Sequence, residues 1–421
     1  MLGISVSCSG FVRDPLKPLD FMPCCTLPKL LKSCERMSPK SATVFAVQSG
    51  MNSRTSVGSA PGAYRSRDQM SKMHESGSSP LGRARYAIDA SALAHVDIVV
   101  EAVFEDLALK QQTFAELGRV TRPECILATN TSTLDVDAIA AASGRPGQVV
   151  GHHFFSPANI MTLLEIVRGR ETSPGVLATS LKLAKHLGKT PVIVGNCFGF
   201  VANRILGYYL REALLLVEEG ATVKQVDDVM SGFGMPVGPF AMEDIAGIDV
   251  GARIRQHRAR TGQGWADGPR SPLPDRLYEQ GRYGQKTGAG WYRYEPGSRE
   301  RIPDPAVEAL ANEVAREHGI TRQPIADDEI LARIMTAMVN EGLRVVEEGF
   351  AQRPSDIDVV YCHGFGFPRY RGGPMFYAHT VGLPVWLDRV NAYRARFGDY
   401  WQPAPLLTRL VQEGRALYPD E

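Results

Sequence analysis

The sequence has no apolar run long enough to span a bilayer; its richest stretch, Tyr208 to Val217, is broken by Arg211 and Glu212. No integral membrane segment is therefore expected. It has almost no net charge, with 47 Lys and Arg against 46 Asp and Glu, so nothing marks nucleic acid or an anionic membrane surface as the main partner. Cysteine is sparse: there are seven, none at metal-ligand spacing, and Cys8, Cys24, Cys25 and Cys34 crowd the N-terminal part. That usage argues against a zinc site and a disulfide framework and suits a reducing, cytoplasmic setting. Periodicity is missing as well from residues 1 to 83, which are rich in Ser, Pro, Met and basic side chains, with Ala42 to Val47 as the one strand-like piece. This stretch is expected to be an unassigned leader, disordered or atypical, or sequence from a misassigned start.

Regular patterning begins at residue 84. Val96 to Val103 is a nearly continuous apolar run, as in a strand buried on both faces of a parallel sheet. Leu107 to Val120 has helical spacing, Cys125 to Asn130 reads as a second strand, and Thr131, Ser132 and Thr133 offer capping hydroxyls to a helix over 134–142. Val149 to Phe155 and Met161 to Val167 are strand-like and flank the turn chemistry of Ser156 to Asn159, so a fold-back bringing His153 beside Glu165 is expected. An imidazole backed by a carboxylate is a general base suited to taking a proton from an alcohol near neutral pH. Taken alone, the pair serves packing equally well. Strands alternating with helices imply a doubly wound parallel sheet, where ligands collect beyond the carboxyl ends of strands; Glu101, Asn130, Ser132 and His153 all fall near such ends, which favours the catalytic reading.

Val176 to Leu187 reads as a helix and Thr190 to Val194 as a closing strand, after which the chain becomes mainly helical, beginning with a helix that runs to about Glu219 and carries Asn203 in its first turns. Val217-Glu218-Glu219-Gly220 returns as Val346-Glu347-Glu348-Gly349, and Gly232-Phe233-Gly234-Met235-Pro236 returns as Gly364-Phe365-Gly366-Phe367-Pro368. Duplication of one helical domain explains this better than a short solenoid repeat. The expected division is a residual α/β domain over 84–195, a first helical domain over 196–295, a linker region over 296–325 with a helix inside it, and a second helical domain over 326–421.

Several motifs in order now carry a resemblance: Val100-Glu101-Ala102-Val103-Phe104-Glu105-Asp106, Ala128-Thr129-Asn130-Thr131-Ser132, His153-Phe154-Phe155-Ser156-Pro157, Gly199-Phe200-Val201-Ala202-Asn203-Arg204 and Gly238-Pro239-Phe240. From about Ala84 onward the chain resembles the L-3-hydroxyacyl-CoA dehydrogenases of fatty-acid β-oxidation, and especially the dehydrogenase part of the bacterial multifunctional enzyme. The resemblance implies an α/β Rossmann-like domain, incomplete at its N-terminal βαβ, followed by two mainly α-helical C-terminal domains. It implies NAD-dependent oxidation of L-3-hydroxyacyl-CoA to 3-ketoacyl-CoA. In that reading His153 removes the hydroxyl proton, Glu165 steadies the imidazolium, and Ser132 and Asn203 hold the reacting oxygen. Glu105, Lys110, Asn130 and Ser132 match cofactor-contacting positions on the nicotinamide side. Neighbouring His152 is read as structural, and Cys125 and Cys197 as core. Implied partners are an acyl-CoA substrate and a second copy of the chain or a thiolase or hydratase of a β-oxidation complex.

One departure stands out. A G-x-G-x-x-G turn between a strand and a helix should lie at roughly residues 20 to 45, where Cys24-Cys25-Thr26-Leu27-Pro28 stands instead. Weak NAD binding, or none, is therefore expected. The alternatives are a truncated non-catalytic relative that keeps the acyl-CoA cleft, and a CoA-independent hydroxyacid or sugar-acid dehydrogenase.

Overall fold

The computed structural model describes residues 2–7, 42–47, 84–87, 90–261 and 268–418. The chain divides into two compact units, Met1–Phe200 and Val201–Glu421. In the first, one eight-stranded sheet has the order β3-β1-β2-β4-β5-β6-β7-β8. Its strands are β1 (Leu2–Ser7), β2 (Ala42–Val47), β3 (Ala84–Ala87), β4 (Ile98–Glu101), β5 (Ile126–Thr129), β6 (Val149–Phe154), β7 (Leu163–Arg168) and β8 (Thr190–Gly195). Two strands of this sheet thus come from the stretch expected to be a leader; the rest of that stretch, including most of the place where the glycine-rich turn was sought, lies outside the described residues.

The sheet is mixed where a parallel one was expected. β4, β5 and β6 run parallel, but β2 is antiparallel to β4 and β7 is antiparallel to β6. The second reversal follows from the short connection: a tight turn can join only antiparallel neighbours, whereas a parallel return needs a crossover. β4 and β5 are buried along their whole length, as their unbroken apolar runs require. Alternation along β6 and β7 sends Val150, Phe154, Leu164 and Ile166 to the core under helix α3 (Pro174–His186), and His153 and Glu165 to the opposite face. Gly151 lies opposite Val167, where an added Cβ would stand 2.6 Å from the valine Cβ, so only glycine lets the two strands approach.

Helix α1 (Leu107–Val120) starts at Asp106, whose carboxylate accepts from Leu109 N at 2.9 Å, and buries Thr113, Phe114 and Leu117. Helix α2 spans Val136–Ala142, two residues later than the sequence suggested, because Asp135 is its N-cap. Asn196 ties that helix start down, donating to Asp135 at 2.6 Å and accepting from Val136 N at 3.1 Å. The hydroxyls expected to cap it serve the site instead.

The second unit contains α4 (Ala202–Glu219), α5 (Val223–Phe233), α6 (Pro239–Ala246), α7 (Ile248–Thr261), α8 (Leu273–Glu279), a two-stranded β9 (Tyr292–Arg293) and β10 (Ile302–Pro303), and α9 (Pro305–Glu317). It continues with α10 (Asp327–Glu347), α11 (Pro354–Gly364), α12 (Pro374–Val381), α13 (Leu383–Phe397) and α14 (Pro405–Gln412). Helices α4 to α7 return as α10 to α13, and α4 packs against α10. Their contact is reciprocal. Arg204 of α4 binds Glu341 of α10 and Glu348 at its C-terminal cap, each at 2.6 Å, while Arg333 of α10 binds Glu212 at 2.9 Å and Glu219 at 2.6 Å on α4. Arg204 and Arg333, Glu212 and Glu341, and Glu219 and Glu348 are separated by one constant interval, so the two copies face each other about a local pseudo-two-fold axis.

The copies also share a brace. Asp227 accepts from Phe240 N at 2.9 Å and Ala241 N at 3.0 Å at the start of α6; Asp358 accepts from Met375 N at 2.7 Å and Phe376 N at 3.2 Å at the start of α12. Each helix begins with proline, which has no N–H to lose, so the carboxylate meets the next two donors. A Cβ at Gly373 would lie 2.3 Å from the Asp358 side chain, and φ there is +118°. Gly373→Ala is therefore expected to cost about 2–3 kcal/mol in a denaturant titration, through steric overlap and left-handed strain together.

Candidate active site

His153 and Glu165 are direct cross-strand partners in the β6/β7 ladder. The imidazole Nδ1 lies 2.7 Å from Glu165 Oε2, with His153 only 5% exposed and Glu165 fully buried. The carboxylate therefore orients the ring from behind, and Nε2 is the nitrogen that can meet a substrate hydroxyl. The ring also packs against Phe155, centroids 4.6 Å apart, and Phe200, 5.6 Å apart. Phe200 is fully buried and holds a left-handed backbone with φ +52°, which a bulky side chain adopts only when its surroundings enforce it. Its aromatic ring closes one side of the imidazole. Phe200→Ala is expected to lower kcat about tenfold while leaving substrate KM within about threefold, because it loosens the ring's aim without touching its chemistry. Steady-state kinetics at saturating cofactor would check this.

Parallel β4 and β5 end beside His153. Asn130, just past β5, accepts from Phe154 N at 2.9 Å and donates its own N–H to Glu101 O at 2.8 Å, locking the ends of three strands together. Lys110, expected at a cofactor contact, is fully buried. Its ammonium reaches Glu101 Oε1 at 2.7 Å and Val103 O at 3.2 Å, since an ammonium taken from water must find its counter-charge inside. Glu101 is fully buried too and also accepts from Thr129 Oγ1 at 2.7 Å. Glu105, directly before the N-cap of α1, gathers the Thr131–Thr133 turn: its Oε1 accepts from Thr131 Oγ1 at 2.6 Å, Ser132 N at 2.8 Å and Thr133 N at 3.1 Å. Asn203 belongs to the other unit, in the first turn of α4.

One residue near the hairpin was not foreseen, and a second, His152, was read as structural. Lys189, in the turn before β8, donates to Ala158 O and to Met161 O at 2.6 Å, and so clasps the loop that joins β6 to β7. His152 points to the opposite face from His153, fully buried, with Nε2 2.8 Å from Ser180 Oγ on α3. Burial pushes its pKa down from 6.5 to about 4, so it is neutral in the fold. The unfolded chain, with the ordinary value, takes up the proton first as pH falls, so stability drops between pH 6.5 and about 4 and the histidine has no effect above 6.5. Relative to His152→Met, the wild type should lose about 2 kcal/mol between pH 8 and pH 5 in urea titrations. Parallel pH dependences for the two proteins would refute this.

Among the described residues no group of three or more His, Cys, Asp or Glu side chains could hold a metal, and no helix is long and apolar enough to cross a membrane. Cys125 is buried and its thiol is pushed up to about 11 by that burial, which makes it inert. For a dinucleotide, the adjoining carboxyl ends of parallel β4, β5 and β6 with Asn130 and Ser132 just beyond them fit the nicotinamide side.

The chain is similar to known proteins over most of its length. The family profile described as 3-hydroxyacyl-CoA dehydrogenase, NAD binding domain matches residues 48–197, and the profile described as 3-hydroxyacyl-CoA dehydrogenase, C-terminal domain matches twice, over 199–294 and 330–418, as duplication requires. Among curated relatives, the peroxisomal bifunctional enzyme of Danio rerio is 47% identical over 349 residues, covering 80% of this chain and 49% of its own length. The fatty acid oxidation complex subunit alpha of Vibrio campbellii is 36% identical, covering 79% and 46%. The chain thus spans about half the length of these relatives. Among solved structures, the dehydrogenase part of multifunctional enzyme 1 from C. elegans is 33% identical with a TM-score of 0.55, covering 76% of this chain and 73% of that one. A 3-hydroxybutyryl-CoA dehydrogenase from Escherichia coli K12 is 26% identical with a TM-score of 0.66, covering 78% and 84%.

Proposed function

Because the chain belongs to the 3-hydroxyacyl-CoA dehydrogenase family, we propose that it oxidises L-3-hydroxyacyl-CoA to 3-ketoacyl-CoA with NAD and that His153 is its general base. The observation that carries this is the buried 2.7 Å bond between His153 Nδ1 and Glu165, which leaves Nε2 as the nitrogen for the substrate hydroxyl. Nε2 takes the proton of the 3-hydroxyl as hydride leaves C3, and the adjacent carboxylate stabilises the imidazolium so formed. NAD, when bound, is the hydride acceptor. Ser132 and Asn203 are assigned to the reacting oxygen by their match to the family motif, the hydroxyl and the amide stabilising the charge that grows on it. Glu105, Asn130 and Ser132 are assigned to the nicotinamide side by the same match, and Lys110 acts from beneath Glu105, its ammonium 3.7 Å from Oε2. No observation favours a non-catalytic reading.

The deciding experiment is NADH consumption with acetoacetyl-CoA. Turnover that persists with free acetoacetate at equal efficiency would favour a CoA-independent hydroxyacid dehydrogenase and overturn the assignment. Calorimetric titration with NAD tests the expectation of weak binding that follows from the missing glycine-rich turn. A second copy, a thiolase or a hydratase is the proposed partner class, checked by light scattering of the chain alone and with each enzyme. The relatives' names include peroxisomal and bacterial proteins. A cytoplasmic setting is kept as the proposal, and a fluorescent fusion found inside peroxisomes would correct it.

A further inference from the structure

The residue that carries most donors at the site is one the family reading assigns to the cofactor. A single oxygen of Glu105, Oε1, accepts four hydrogen bonds, all from the turn that contains Ser132: the Thr131 hydroxyl at 2.6 Å, Ser132 N at 2.8 Å, Thr133 N at 3.1 Å and the Thr133 hydroxyl at 3.2 Å. Two successive backbone N–H groups converging on one anion form a concave nest, and the carboxylate fills it with charge-assisted bonds. Thr131 is fully buried, and its hydroxyl oxygen in turn accepts from Leu134 N at 2.9 Å, so the turn is held from both sides. The other oxygen of Glu105 lies 3.7 Å from the Lys110 ammonium, which Glu101 and Val103 O hold in place from below. The chain of charges runs from the end of β4 to the turn after β5.

We infer that Glu105 is a positioning residue for Ser132: its carboxylate fixes the Thr131–Thr133 turn so that the Ser132 hydroxyl stands where the reacting oxygen develops charge. A ribose contact would have to use Oε2, the oxygen facing Lys110. The kinetic part rests on the dehydrogenase reading; the structural part does not.

The test is a double-mutant cycle joined to hydrogen exchange, on the full chain. Glu105→Ala and Ser132→Ala should each lower kcat about tenfold or more, and the double variant should fall no further than the worse single one, because both remove the same contact. Glu105→Gln, which keeps an acceptor oxygen in the nest, should restore most of the rate. The amides of Ser132 and Thr133 should exchange at least about tenfold faster in Glu105→Ala and return toward wild type in Glu105→Gln, while β6 and β7 amides stay unchanged. Losses that multiply in the double variant, or unaltered exchange at Ser132 and Thr133, would overturn the inference. Should the wild-type chain show no turnover, the dehydrogenase reading fails, and the exchange measurement still decides whether Glu105 holds the turn.

Discussion

Glutamine at position 153 should lower kcat for acetoacetyl-CoA reduction about a thousandfold, within the range expected for loss of a general acid–base group. Its amide can still occupy the space between Phe155 and Phe200 and can still bond to Glu165, so folding and substrate KM should change little. What it cannot do is exchange a proton. Glu165→Gln should act in the same direction and less strongly, because it keeps a hydrogen-bond partner for Nδ1 but no longer offsets the charge of the imidazolium. Both variants should keep the wild-type melting temperature to within a few degrees, which separates a chemical defect from a folding one. A His153→Gln protein with undiminished turnover would remove the histidine from the mechanism.

The largest effect on stability should come from Arg333. Its guanidinium is 1% exposed, bonds to Glu212 at 2.9 Å and to both oxygens of Glu219 at 2.6 and 2.8 Å, and lies over the Phe397 ring at 4.0 Å. Replacing it with methionine keeps much of the packing but leaves the fully buried Glu212 without its main counter-charge, since Arg211 alone remains beside it. Removing one partner from a buried pair costs about 3–5 kcal/mol, because the remaining charge has been desolvated for nothing. For a unit of this size that is a melting temperature lower by about 10 °C. Arg204, the counterpart in the other copy, is 18% exposed at its side chain and water can replace part of what it loses, so Arg204→Met should cost clearly less. Adding Glu212→Gln to Arg333→Met should recover part of the loss. Equal effects at the two arginines would contradict the burial argument.

These expectations differ in where they could first be read. The His153/Glu165 pair was legible from residues alone: a short turn between two strand-like runs forces antiparallel pairing, and pairing twelve positions apart across that turn puts both side chains on one face. The start and end of α1, and the duplication of the helical half, were legible for the same local reasons of spacing and repetition. The cap of α2 was not, because Asp135 and the Thr131–Thr133 hydroxyls are equally good capping residues in a linear string. Only the proximity of Glu105 settles which of them is occupied elsewhere. The strands at Leu2–Ser7 and Ala42–Val47 were not legible as sheet members either, since their pairing partners lie far along the chain.

The sequence by itself determined the order of elements from β4 to α4, the doubled helical half and the pairing of His153 with Glu165, since each is written within a turn or two of chain or in a repeat. Tertiary structure alone decided that Lys110 is buried, that Glu105 grips the Ser132 turn, that His152 is neutral and that Arg333 and Arg204 answer each other across two helices. Those outcomes depend on desolvation and on which distant groups meet, and neither quantity exists until the chain has folded.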